Sequence, residues 1–334
     1  PDARMVGAKL LEALARPHSL GDRPITSTPS IGVVMFSASS HSADELLRQA
    51  DLAMYRAKAE GRNTLRFFDP EMQASAERQA ALENDLRAAI AEHSFELYCQ
   101  PQLSVDGRLA GAEVLLRWNH PTRGLVKPDE FISLAESSGL IIQLGAMVLT
   151  ESCRALVRWA GDPHLREVTL AVNVSAHQLQ APGFVDQVLS ILAETGAPSQ
   201  QLFLELTESV FAQNFDEACS KMNNLRAHGV CFSLDDFGTG YCSLAYLKHF
   251  PLTELKIDRS FVKDLPGETH ASAIVDAVLA LACTLQLDVV AEGIETDEQR
   301  DFLVARGCRL LQGYLLGEPQ PIAEFEAAYG AART

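Results

Sequence analysis

The stretch Leu234–Leu244 reads LDDFGTGYCSL. Asp235 and Asp236 end an apolar run and lead straight into a segment carrying Gly238 and Gly240. Adjacent carboxylates repel, and in a shared polar site one of them is driven to hold its proton. The pair makes chemical sense if a strong positive charge sits between its members. The glycines permit backbone shapes that other residues resist, so the acids adjoin a segment able to change shape.

Other polar residues stand in similar places. Glu113 lies in AEVLLRW, Asn173 in AVNVS, Glu205 in LELTE and Lys256 in LKID, while Glu292 follows VVA and Gln312 follows RLL. Side chains alternate along a strand. Glu113, Leu115 and Arg117 therefore share one face, with Val114 and Leu116 on the other. The same parity sets Asn173 apart from Val172 and Val174, and Glu205 apart from Leu204 and Leu206. A single Glu at a strand end is ordinarily a solvated loop residue or a helix cap, and Lys256 alone would be a surface charge. Successive strand candidates that all bear an acid, amide or amine at the same end are not explained that way. Four acids and an amide in one mouth make an oxygen-rich site for a hard divalent cation, Mg²⁺ or Mn²⁺. Two such cations offset the repulsion of Asp235 and Asp236, and a pair about 3.5–4 Å apart activates water against a phosphodiester.

The elements that must position these residues begin at Phe95. Short apolar runs recur from there, each followed by a helical stretch: FELYCQPQL, LAGAEVLLRW, VTLAVNVS, LFLELT, CFSLDD, ELKID, LDVVAEG and CRLLQGY. Strands alternating with helices over this length predict an α/β chain folded as a (β/α)8 barrel, with a doubly wound sheet as the alternative. In a barrel the active site lies at the C-terminal ends of the strands, which is where the polar residues fall.

Residues 1–69 read as a separate, partial α/β unit. A helix over about Ala3–Ala15 precedes a β-rich run through Ile31, Val33 and Phe36. An amphipathic helix follows over Ala43–Ala59, with Leu46, Leu47, Ala50 and Met54 at helical spacing. Gly61 stops it, and TLRFF forms a short strand. Asp69-Pro70 then caps a connecting helix that runs to about Glu92.

The chain has 334 residues, enough for one large domain and a smaller piece. Its net charge of −16 speaks against non-specific binding of DNA or RNA, which calls for a basic patch. The 7 cysteines are scattered, odd in number and form no CxxC, which argues for reduced thiols in a cytoplasmic compartment. No apolar run approaches the roughly 18–20 residues that span a bilayer. The N-terminus lacks the pattern of a signal peptide and reads as a helix cut from something longer, so an upstream membrane anchor stays open.

The ordered set EVLLRWNHPTRGLVKPDEFISLAESSGLI, NVS, LELTES, DDFGTGYCSLAYLKHFPLTELKIDRSF, VVAEGIET and LQGYLLGEPQP closely resembles the EAL domain. That family consists of phosphodiesterases of the bacterial second messenger cyclic di-GMP. The resemblance covers about residues 82–330 and implies a TIM-type barrel over 82–334, preceded by a linker helix over 70–92. Residues 1–69, with SIGVVMF, ADELLRQADLAMYRAKAEGRN and FFDPEM, resemble the C-terminal part of a GGDEF, or diguanylate cyclase, domain. The GGDEF signature does not occur in the sequence, so cyclase activity is not expected of it.

The resemblance implies further roles. Glu113, Asn173, Glu205 and Asp235 would ligate one Mg²⁺ or Mn²⁺, and Asp235 with Asp236 a second. Lys256 would orient or deprotonate the attacking water, with Glu292 supporting the metal cluster. Arg117, Gln100, Leu115 and Gln312 would contact cyclic di-GMP, and Glu208 would anchor the glycine-bearing loop. Homodimerisation through the barrel is a further implication. The rival reading is a catalytically silent cyclic di-GMP receptor acting through a protein partner. Three positions depart from the family pattern. Val114 faces outward and should be harmless. Cys242 replaces a usual Ser in the loop and could tune it. Glu318 stands where a basic or polar residue is common and is expected to weaken substrate binding slightly.

Overall fold

A computed structural model describes residues 2–16, 18–20, 23–25, 27–36, 42–208, 210, 214–238 and 247–330. Gly240 and Cys242 lie outside them, as does the rest of the loop beyond Gly238. The chain divides into two compact units, residues 1–85 and 86–334.

In the first unit a helix spans Asp2–Leu14, and strand Ile31–Val33 pairs in parallel with Leu65–Phe67. The crossover between them is helix Ala43–Ala59, whose N-cap Ser42 accepts a hydrogen bond from the Glu45 amide. Gly32 lets this helix lie against the strand, because a Cβ there would come within 2.0 Å of the Ala50 carbonyl oxygen. The expected strand stops at Val33, and Phe36 is exposed. Asp69 Oδ1 accepts from the Glu71 amide at 3.0 Å, fixing the start of helix Pro70–Ala91 as the sequence requires.

Eight of the ten strands described in the second unit form its barrel, each at one of the apolar runs. They are β1 (Phe95–Ser104), β2 (Leu109–His120), β3 (Thr169–Asn173) and β4 (Leu202–Thr207). Then follow β5 (Cys231–Phe237), β6 (Glu254–Ile257), β7 (Asp288–Ala291) and β8 (Leu310–Leu311). Parallel pairing runs from β2 to β8 in chain order. β1 pairs with both β2 and β8, which closes the sheet into a barrel. The doubly wound alternative is thereby excluded.

One expectation needs correction. The first apolar run is not followed by a helix, and β1 runs antiparallel to both its neighbours. The cause is local. Only Val105–Arg108 separate β1 from β2, where the Gly107 amide closes a turn on the Ser104 carbonyl. A parallel crossover needs a dozen or more residues, whereas a short turn supports only a hairpin. The barrel is therefore mixed.

Helices such as Ile141–Ala160, Phe184–Thr195 and Thr269–Leu285 connect the later strands. The outward strand positions Val114, Val172, Leu204 and Leu206 are buried, consistent with the parity that turns their neighbours inward. Among the described residues no helix is long and apolar enough to cross a membrane.

Candidate active site

At the C-terminal ends of the parallel strands the inward polar residues meet around one ammonium. Lys256 Nζ, on β6 and fully buried, lies 2.5 Å from Glu292 Oε1 and 2.8 Å from Glu205 Oε1. Glu113 Oε2 is 3.4 Å from it and Asp235 Oδ1 is 3.8 Å away. Glu113 is held from both sides. Its Oε1 accepts from Asn173 Nδ2 at 2.9 Å, and its Oε2 accepts from Gln312 Nε2 at 2.6 Å. Gln312 Nε2 also donates to Gln100 Oε1 at 3.2 Å, and Gln100 Nε2 donates to the Gly317 carbonyl at 3.1 Å. The structure thus gathers Gln100, Glu113, Asn173, Glu205, Asp235, Lys256, Glu292 and Gln312 into one network.

The electrostatics follow from too many acids sharing one cation. Burial opposes charge on Lys256, but its carboxylate neighbours outweigh that and hold its pKa well above the usual lysine value. A single ammonium cannot compensate four carboxylates, so the protons distribute unequally. Burial pushes Glu205 well up and Glu292 up as well. Burial also acts on Glu113, yet Lys256 and the two amide donors win there and hold its carboxyl below the ordinary range.

Asp235 and Asp236 occupy an irregularity in the sheet. Between Leu234 and Phe237 the register of β5 against β6 shifts, since Leu234 pairs with Leu255 but Phe237 pairs with Ile257. Asp236 takes a left-handed backbone, φ 55°, and its amide donates to Asp235 Oδ1 at 2.8 Å. A bulge of this kind re-aims a side chain at a strand end. Burial, then the charges of Asp235 and Asp258, push Asp236 up to about 6. Glu208 Oε1 accepts from the Gly238 amide at 2.8 Å, so it holds the first glycine of the following loop.

Two residues assigned to the substrate stand apart from this network. The Arg117 guanidinium donates to the Leu116 carbonyl at 2.9 Å and lies over the Tyr98 ring at 5.4 Å. Leu115, half-buried, pairs across the hairpin with Tyr98. Burial pushes the Cys99 and Cys308 thiols up to about 12, so neither is a nucleophile at neutral pH.

The residues fit a hard cation by their chemistry. Carboxylates and amide carbonyls are oxygen donors, and beyond the Lys256 ammonium neither buried Glu205 oxygen has a hydrogen-bond partner. In this arrangement Lys256 stands among the carboxylates, and no three acid, histidine or cysteine side chains among the described residues converge as a ready metal cage.

Sequence reasoning missed three polar residues inside the barrel. Gln102 donates through Nε2 to Gln312 Oε1 at 2.9 Å, and Ser233 Oγ donates to Glu254 Oε1 at 2.8 Å. All three are buried. The signal was the same period of two, because Gln102, Ser233 and Glu254 sit two residues from Gln100, Asp235 and Lys256 on the inward face.

Comparison with known proteins places these elements. The family model described as the EAL domain matches residues 83–319, and that of the diguanylate cyclase GGDEF domain matches residues 3–64. The chain is 42% identical over 328 residues to the bifunctional diguanylate cyclase/cyclic di-GMP phosphodiesterase MucR of Pseudomonas aeruginosa, covering 98% of this chain and 48% of MucR. It is 40% identical over 335 residues to the cyclic di-GMP phosphodiesterase NbdA of the same organism, covering 99% of this chain and 42% of NbdA. The chain therefore spans less than half the length of either relative. Among solved structures, the MucR phosphodiesterase in complex with c-di-GMP superposes with a TM-score of 0.71 at 43% identity, over 73% of this chain and 99% of that one. The EAL enzyme Bd1971, with cAMP and cyclic di-GMP bound, gives a TM-score of 0.74 at 31% identity, over 87% of this chain and 77% of that one.

Proposed function

The chain belongs to the EAL-domain family, and on that premise we propose that it hydrolyses one phosphodiester bond of cyclic di-GMP to linear 5′-pGpG. The observation that carries the reading is the cluster of Glu113, Glu205, Asp235 and Glu292 around Lys256, with no hydrogen-bond partner for the Glu205 oxygens beyond that ammonium. Carboxylates held this close call for more positive charge than one ammonium supplies.

Glu113, Asn173, Glu205 and Asp235 would hold one Mg²⁺ or Mn²⁺, and Asp235 with Asp236 the second. Bound there, the cations supply a water of lowered pKa and charge compensation for the departing 3′-oxygen. Lys256 keeps its proton among the carboxylates and so orients the attacking water as a donor. Glu292 holds Lys256 in place from the adjoining strand end. Gln100 and Gln312 brace Glu113, and the planar fork of Arg117 suits a phosphate oxygen once it leaves the Leu116 carbonyl. Glu208, through Gly238, keeps the loop near Asp236.

The same proposal assigns residues 1–69 to the C-terminal part of a GGDEF domain, 70–92 to a linker helix and 82–334 to the EAL barrel. It includes homodimerisation through the barrel, which sedimentation of the purified chain tests. The activity is tested by incubating the chain with cyclic di-GMP and Mg²⁺ or Mn²⁺ and separating the nucleotides. pGpG that disappears with EDTA and with Glu113→Ala or Asp235→Ala is the expected result. Tight nucleotide binding without product would overturn the hydrolase in favour of a receptor.

A further inference from the structure

We propose that Gln102 is a positioning residue, which fixes the direction of the Gln312 amide and so presents a hydrogen-bond donor to Glu113. The proposal rests on the metal-dependent reading of the site given above.

A glutamine side chain carries an acceptor on one branch and donors on the other, and its neighbours decide which way it faces. Gln312 is surrounded by both kinds. Its Nε2 donates to Glu113 Oε2 at 2.6 Å and to Gln100 Oε1 at 3.2 Å. Its Oε1 accepts from Gln102 Nε2 at 2.9 Å. Turned over, the amide would set its carbonyl against the Glu113 carboxylate and the Gln100 carbonyl, with no proton among the three. Its NH₂ would meet the NH₂ of Gln102. Exposure is 8% at Gln100, 3% at Gln102, 7% at Glu113 and 3% at Gln312, so bulk water cannot replace a lost partner.

Gln102 is itself fitted to the wall. It stands opposite Gly111 in the β1–β2 pair. A Cβ at Gly111 would come within 2.6 Å of Gln102 Oε1 and 2.5 Å of Thr169 Oγ1. The glycine therefore leaves the space that the Gln102 carbonyl uses. This is independent of the hydrogen bonds and points to the same side chain.

The consequence falls on Glu113. One of its oxygens is fixed by Asn173 and the other by Gln312. Without the Gln102 donor, the Gln312 carbonyl becomes a buried acceptor lacking a partner, and rotation toward Glu113 brings two acceptors together. The carboxylate is then no longer held in one orientation. Partners behind a metal ligand typically change metal affinity by about 10–100-fold.

The test is calorimetric titration of Mn²⁺ alone into the full chain, with no nucleotide present. The proteins are wild type, Gln102→Met, Gln312→Met and the double variant. Gln102→Met should weaken Mn²⁺ binding by about 10–100-fold. The double variant should bind no more weakly than Gln312→Met, because Gln102 acts through Gln312. A purely structural role would make the two losses multiply, and that result overturns the proposal. So does unchanged Mn²⁺ affinity in Gln102→Met. If Gln102→Met does not fold, Gln102→Leu, shorter and also lacking a donor, decides by the same criteria. Absence of Mn²⁺ binding to the wild type overturns the metal-dependent reading itself, and this inference with it.

Discussion

Lys256 and Glu205 are both fully buried and stand 2.8 Å apart, and beyond that ammonium neither Glu205 oxygen has a hydrogen-bond partner. Such an arrangement is costly in a dry interior, because desolvation of the ammonium is offset only by the carboxylates gathered around it.

Replacing Lys256 by Met should therefore destabilise the metal-free protein by about 3–5 kcal/mol, since the carboxylates lose their only central cation. Turnover should disappear. The stability deficit should narrow when Mn²⁺ is added, because divalent charge replaces the ammonium. Urea unfolding in EDTA and in Mn²⁺ checks both parts, and an equal deficit in the two conditions would falsify the idea that cations and Lys256 serve the same acids.

Glu208 holds the start of the glycine loop by accepting a hydrogen bond from the Gly238 amide. Glu208→Ala should lower kcat about tenfold, the equivalent of about 1.4 kcal/mol of lost loop positioning. Glu208→Gln keeps an acceptor oxygen and should retain most of the rate. Steady-state kinetics of both variants are the check, and equal losses would count against an anchoring role.

The buried Glu254 links stability to pH. Burial, as the largest influence, pushes its carboxyl from the ordinary 4.5 up to about 7. Folding thus holds a proton that the unfolded chain releases. From roughly pH 4.5 to 7 the folded state binds more protons than the unfolded one, so stability falls as pH rises through that window and levels off above it. Glu254→Gln should remove the share of the fall due to Glu254 and stabilise the protein by up to about 3 kcal/mol at pH 8 relative to its effect at pH 4. Denaturant titrations at the two pH values measure this, and a parallel pH dependence in wild type and variant would refute it.

Much of this was legible in the sequence because it depends on local rules. The eight apolar runs became the eight barrel strands, and alternation placed Glu113, Glu205 and Lys256 inward. Helix periodicity announced Ala43–Ala59, and the Asp69-Pro70 pair announced the start of the next helix. The antiparallel β1 was also legible, in the four residues Val105–Arg108, although the alternation pattern obscured it. Gln102, Ser233 and Glu254 escaped notice because a polar residue within a strand but away from its C-terminal end has no distinguishing neighbour in the chain. Their parity was visible, but their partners were not.

Which side chains share a strand face can be read along the chain, because alternation is a property of the backbone of one segment. The chemistry available was readable as well, since the oxygen donors and Lys256 stand at the ends of recognisable strands. That Gln312 braces Glu113 across 199 residues of chain, and Gln102 braces Gln312 across 210, emerges only in the folded barrel. Those contacts exist because β1 closes the ring between β8 and β2, and closure is a relation among all the strands at once. The same holds at Asp235 and Asp236. Their adjacency is written in the chain, but the left-handed turn at Asp236 arises where β5 and β6 fall out of register. Pairing between neighbours, not the periodicity of either strand, sets that offset.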